Sequence, residues 1–168
     1  MNAARIVVTG EAFVGRGHRS IDAVMDELVE GARSELAVAA YLFTSARILG
    51  KIKEAAQRGV RTSLLVNDFK GQSAQVKREL SELVATYPSA HVYDFDGTRR
   101  GPLHAKVIVS DRSEGIVGSA NFTGAAMDRN HEIGVHVRGA LAEDLAMLLD
   151  SLVLLASPIR AGSRWEAA

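Results

Sequence analysis

Residues 104–111 read HAKVIVSD. Most of this stretch has the composition of a buried strand, yet it carries His104 and Lys106 at one end and Asp111 at the other. Side chains alternate faces along a strand, so residues two apart share a face. His104 and Lys106 are therefore expected to point the same way. Ala105, Val107 and Val109 are expected to point the other way, into packing. The stretch thus predicts an imidazole beside an ammonium on a strand whose other face fills a core.

Working outward, the chain has 168 residues, which is enough for one domain with a full hydrophobic core. We expect a single domain over residues 1–168. Hydrophobic residues make up 47% and charged residues 24%, and twenty basic side chains balance twenty acidic ones. A net charge of zero excludes a global attraction to polyanions, so any such binding needs a local patch. There is no cysteine, which removes disulfides and thiolate metal sites. The three-residue apolar run after Arg5 is too short for the core of a signal peptide. Residues 141–157 are apolar but contain Glu143, Asp144 and Asp150, so they suggest a buried or interface helix and not a membrane span. The expectation is a cytoplasmic protein without a membrane partner.

The periodicity predicts strands at 5–10, 35–43 and 60–66, with helices at 19–34, 46–58 and 73–86 between and after them. HVYDF, HAKVIVS, GIVGS and HEIGVHV are four further strand candidates, and residues 141–156 form a closing helix before a tail with Trp165. Helices alternate with strands early and strands cluster late. That order predicts an α/β fold, a mixed β-sheet with helices on both faces.

The chemistry-bearing residues recur at fixed spacing. His-x-Lys is followed by four residues and Asp111, six more lead to Gly118-Ser119-x-Asn121, and eleven positions after Asn121 comes Glu132 in RNHEIGV. This pattern resembles the signature of the phospholipase D superfamily, the HKD proteins. AAYLFTS at 39–45, a helix, and RGVRTSLLVND at 58–68 are similar to the first half of that family, so the resemblance spans residues 20–138. One copy of the motif is present, whereas the lipases and cardiolipin synthases of the family carry two in much longer chains. Short one-copy members include bacterial endonucleases of the Nuc type and the Zucchini-like nucleases. The latter have a membrane anchor, which is not expected here, and a Cys-bearing insert, which a sequence without cysteine does not match. The resemblance therefore implies a bacterial, Nuc-type nuclease working as a homodimer.

The residue types suit that chemistry. Neutral imidazole is a nucleophile near pH 7 and protonated imidazole an acid, so two copies of His104 divide the two roles. Lys106, an Asn121 amide N–H and the Ser119 hydroxyl are expected to meet the non-bridging oxygens. Glu132 is expected to accept from the other imidazole nitrogen. No metal and no cofactor is required, since Lys and protonated His supply the positive charge. The family pattern implies a structural role for Asp111 and for Gly118. His131 has the wrong parity to face the site, His136 lies too far along the strand, and His18 and His91 read as surface residues. Gly15 and Gly17 precede no GK[ST], so they read as a turn. Arg99 and Arg100 immediately precede the His segment and are candidates for phosphate-backbone contact with DNA or RNA, with Lys70 and Arg47 as further candidates. Aromatic residues are 5% of the chain, which argues against extensive base stacking. The alternatives are a phospholipase or phosphatidyl transferase, and a nucleic-acid-binding regulatory subunit of a larger, defence-type complex.

Overall fold

The computed structural model describes residues 3–10, 13–14, 16–98, 101–124, 126 and 130–160. The strands are β1 (Ala4–Val8), β2 (Arg19–Ser20), β3 (Glu35–Ala40), β4 (Arg61–Asn67), β5 (Ala90–Phe95), β6 (Lys106–Ser110), β7 (Glu114–Gly118), β8 (Ile133–Arg138) and β9 (Ser157–Pro158). The long helices are α1 (Ile21–Gly31), α2 (Ala46–Gln57), α3 (Ala74–Thr86) and α4 (Ala140–Val153). The strands form one mixed sheet in the order β2-β1-β8-β7-β6-β3-β4-β5-β9. β3, β4 and β5 run parallel, as helical crossovers require, while β6, β7 and β8 form an antiparallel meander.

Two apolar layers enclose the sheet. On one face Val24, Leu28, Ile48, Ile52 and Leu80 from α1, α2 and α3 pack on Val38, Leu64, Val92 and Ile108. On the other, Ala146 and Leu149 of α4 pack on Ala39, Leu65, Val107 and Val109. Each of the valine, leucine and isoleucine side chains, fully buried, contributes about 1.5–3 kcal/mol. Central strands covered on both faces are apolar throughout, which explains why ELAVAA and KVIVS do not alternate. Ser45 and Ser73 start α2 and α3 by accepting from the backbone N–H of Ile48 and Val76. Among the described residues no helix is long and apolar enough to cross a membrane.

The expected strand at 35–43 ends at Ala40, because its partner β6 begins opposite, at Lys106. Phe43 instead bridges to Phe122 and stacks on its ring at 5.6 Å. The closing helix stops at Val153, where the chain turns to lay β9 against β5. The two-residue strands β2 and β9 are too short to show a sequence period. Gly118 faces Gly134 across β7 and β8, and a Cβ on Gly118 would lie 2.7 Å from the Gly134 Cα. That close approach requires glycine, and it draws the residues after Gly118 towards those before β8.

Candidate active site

The register gathers the motif at one end of the sheet. Lys106 pairs with Ala40 at the end of β3, Val107 with Val117, and Gly118 with Gly134. His104, Ser119, Asn121 and Glu132 all lie just outside that end, in the segments flanking β6, β7 and β8.

His104 is not on the strand. β6 begins at Lys106, which pairs with Ala40, the last residue of β3. Other groups hold the preceding segment. Asn67 Oδ1 accepts from the Leu103 N–H at 2.8 Å, and the His104 carbonyl accepts from Lys106 Nζ at 2.9 Å. Imidazole and ammonium nonetheless meet: Lys106 Nζ lies 3.1 Å from His104 Nδ1 and 3.3 Å from Nε2. The Tyr41 ring packs on His104 with centroids 4.5 Å apart, and Lys106 Nζ is 5.4 Å from the Tyr41 centroid. Lys106 is only 8% exposed. Burial pulls its ammonium below the ordinary lysine value, and the charge of Glu132 partly restores it.

Glu132 is the second focus. Its carboxylate accepts from the Ser119 hydroxyl and, at 3.1 Å, from the Asn130 amide. Its backbone N–H donates to Thr9 Oγ1 at 3.0 Å, and that hydroxyl donates to the Asn130 carbonyl at 2.8 Å. Within the chain the carboxylate is engaged by Ser119 and Asn130 and not by the imidazole, and the Ser119 hydroxyl is directed at Glu132 and not at an open anion position. An ionised carboxylate is the stronger acceptor, and Ser119 has a single O–H to give.

Asn121 is held by its neighbours: the Phe122 carbonyl accepts from the N–H groups of Thr44 and Ser45, and Phe122 N–H donates to the Leu42 carbonyl. Asn121 Oδ1 is enclosed and has no hydrogen-bond partner. That oxygen only accepts, so the donor Asn121 can offer is its amide NH2 group.

Asp111 lies at the opposite end of β6. Its carboxylate accepts from Arg33 N–H at 2.9 Å, from Ser34 N–H and hydroxyl at 2.8 Å each, and from Glu35 N–H at 2.9 Å. It ties the β6–β7 turn, where Asp111 and Arg112 have φ of 49° and 56°, to the start of β3. Burial pushes this carboxyl up, but the four hydrogen bonds outweigh it and hold the group below the ordinary aspartate value.

Arg99, Arg100 and Gly15 lie outside the described residues. Arg47 pairs with Asp22 and Asp26 on α1, so its charge is engaged in holding α2 to α1. Lys70 is exposed on the 3-10 turn Phe69–Gly71. His131 is exposed and meets the Phe13 ring edge-on, while His136 is buried against Glu114. His18 and His91 are exposed. Among the described residues no group of three imidazole or carboxylate side chains converges as metal ligands do.

The sequence reading missed Tyr41, Asn67 and Thr9. Tyr41 stands in the quoted AAYLFTS stretch, but an aromatic at a strand's end reads as core. Asn67 and Thr9 act through hydrogen bonds made across the fold, and no local pattern announces them.

Residues 25–152 match the family described as "Cardiolipin synthase, PLD-like domain". Cardiolipin synthase B of Escherichia coli (strain K12) is 32% identical over 113 residues, which are 65% of this chain and 26% of that protein. DISARM protein DrmC of Bacillus paralicheniformis is 30% identical over 126 residues, 72% of this chain and 51% of DrmC. The chain thus spans about a quarter to a half of the length of these relatives. Nuc from Salmonella typhimurium, a phospholipase D family member, superposes with a TM-score of 0.78 at 19% identity, covering 94% of this chain and 98% of Nuc. NucT from Helicobacter pylori gives 0.75 at 19% identity, covering 93% and 99%. These two structures share the fold and its length. With the family match running from α1 to the last turn of α4 and enclosing the whole His104–Glu132 constellation, the chain belongs to the PLD-like domain family of the phospholipase D superfamily.

Proposed function

We propose that the chain is a metal-independent phosphodiesterase that cleaves nucleic acid, through a phosphohistidine on His104, in a site shared by two copies of the chain. The observation that carries this reading is the contact of Lys106 Nζ with the His104 ring, backed by Tyr41. The contact sets the cation that would face the phosphoryl oxygens beside the ring that would attack phosphorus.

In the first step a His104 ring nitrogen forms a bond to phosphorus as the bond to the leaving oxygen breaks. That oxygen takes a proton from a second, protonated imidazole. In the second step water attacks phosphorus, the N–P bond breaks, and the second imidazole takes up the water proton. Lys106 and the Asn121 amide stabilise the charge on the non-bridging oxygens. Within the chain Glu132 is turned towards Ser119 and Asn130. A carboxylate has acceptor sites beyond those two bonds, and an imidazole brought in across a two-fold axis would fill one of them. Isologous dimers are the commonest oligomers, and a two-fold axis at this end of the sheet supplies the second His104.

The likeness of fold to Nuc and NucT supports nucleic acid as the substrate. The likeness to cardiolipin synthase B supports a phosphatidyl-transfer alternative, and the likeness to DrmC supports an assembly subunit. One experiment separates them. The purified full chain is incubated in EDTA with labelled DNA, labelled RNA and phosphatidylglycerol vesicles. Cleavage of a nucleic acid is expected. Turnover of the lipid alone, or activity restored only by magnesium, overturns the reading, and binding of nucleic acid without turnover by the isolated chain favours the subunit.

A further inference from the structure

Arg5 on β1, Arg19 on β2, and His136 and Arg138 on β8 line a cavity of about 320 Å3 beside α1, away from the catalytic end. The sheet register assembles them: Arg5 lies opposite His136, and Val7, on the cavity floor, lies opposite Arg19. His136 is 5% exposed, while the three arginines reach solvent. Among the described residues two carboxylates face the cluster. Glu114 lies 3.1 Å from His136 Nε2 and 3.2 Å from Arg138 Nε, and Glu27 pairs with Arg19. Three guanidiniums against two carboxylates leave a net positive charge, and Arg5 has no carboxylate partner among the described residues.

The donors are also unspent. A guanidinium offers five N–H groups, and each ion pair here uses only part of them. The Arg138 Nε is enclosed against Glu114, while the exposed part of its guanidinium carries the donors open to a ligand. Planar forks converging on one cavity match the oxygens of a phosphoryl group better than a single carboxylate does. The volume sits at the lower end of the roughly 300–1,000 Å3 typical of ligand sites, with room for a phosphate and its sugar.

We propose that Arg5, Arg19 and Arg138, over the floor made by His136, form a phosphate-binding subsite for the backbone of a nucleic-acid strand. This inference rests on the nucleic-acid reading of the catalytic site. His136 lies four residues beyond Glu132 along β8, about 13 Å at a strand's rise of ~3.3 Å per residue. At about 3.4 Å per nucleotide along a duplex strand, the separation of His136 from Glu132 corresponds to about four nucleotides.

His136 is a built-in reporter. Burial pushes its imidazole below the ordinary histidine value, the Glu114 hydrogen bond opposes this, and Arg138 and Arg19 push it further down. An anion seated among the arginines raises it by linkage. The test uses the full chain carrying His104→Asn to suppress turnover, alone and with Arg5→Ala and Arg19→Ala added. Each protein is titrated with inorganic phosphate, a labelled oligonucleotide, and the same oligonucleotide with uncharged methylphosphonate links. The His136 ring is followed by NMR and affinity by fluorescence anisotropy. The charged oligonucleotide is expected to raise the His136 pKa. The double substitution is expected to abolish that response and to reduce the salt slope by about 1.4 for a single strand or 1.8 for a duplex, for two lost contacts.

An unchanged slope and an unchanged His136 titration in a double variant that melts normally overturn the subsite. A response to free phosphate without one to the oligonucleotide overturns the strand assignment, and an equal response to the uncharged strand overturns the role of phosphate. If the double variant melts early, Arg5→Ala alone decides, with an expected slope change of about 0.7–0.9, since Arg5 holds no ion pair among the described residues. Cleavage by the wild type is scored separately. A His136 response without wild-type cleavage supports the subsite and removes the nuclease reading.

Discussion

Lys106 donates to the backbone carbonyl of His104 at 2.9 Å while the same ammonium lies 3.1 Å from His104 Nδ1. The lysine thus holds the segment that carries the nucleophile and faces the reacting ring at once. Its ammonium is pulled below the ordinary lysine value by burial, with Glu132 opposing. The protonated form is the one that stabilises phosphoryl charge, so activity should fall as pH rises through a value below 10.5. Lys106→Ala should lower kcat by about 10²–10³-fold, as loss of one transition-state donor does. Lys106→Arg should keep part of the activity and shift the alkaline fall upward, and a pH–rate profile with no shift contradicts this role.

Tyr41 should position His104 through its ring. Tyr41→Phe is expected to leave kcat near wild type. Tyr41→Ala removes an aromatic contact of about 0.5–1.5 kcal/mol, enough for a roughly two- to tenfold fall in kcat with KM little changed. Equal losses in both variants would instead assign the function to the hydroxyl.

Asp111 should contribute stability and not chemistry. Its carboxyl lies below the ordinary aspartate value in the folded chain. The stabilisation is therefore fully present above the unfolded value of about 3.9 and is lost as pH falls through the lower folded value. Asp111→Asn should cost about 1–3 kcal/mol at pH 7 and progressively less in acid. Chemical denaturation at a series of pH values checks this, and a penalty that does not shrink in acid contradicts it.

The fold was legible where a local pattern carried it. The i, i+3, i+4 stripe of α1 and the apolar run of β3 fixed their types, and the HxK spacing brought His104 and Lys106 together although His104 precedes the strand. What stayed hidden depends on the far partner. The Asn67 bond to Leu103 joins residues distant in sequence, as do the Thr9 bonds to Asn130 and Glu132. The engagement of Ser119 by Glu132 was hidden for a related reason: spacing brings the two close but does not say which of several acceptors the single hydroxyl proton chooses.

The shared site has a kinetic signature. Wild-type chain and His104→Asn chain are mixed at varied ratios, unfolded and refolded so that they pair at random. With one site needing both copies of His104, activity per total protein falls as the square of the wild-type fraction. A linear fall, or full activity from a chain shown to be monomeric, refutes sharing.

The central claim is that His104 attacks phosphorus in a nucleic-acid diester. Wild-type chain is mixed with an oligonucleotide in EDTA, quenched without acid, digested and mapped by mass spectrometry. The expected result is a phosphoryl-linked nucleotide on the peptide containing His104, absent in His104→Asn, whose turnover should fall by at least about 10³-fold, as when a nucleophile is deleted. Rapid cleavage with His104 unmodified and the adduct on His131 or His136, or undiminished cleavage by His104→Asn, would contradict the account.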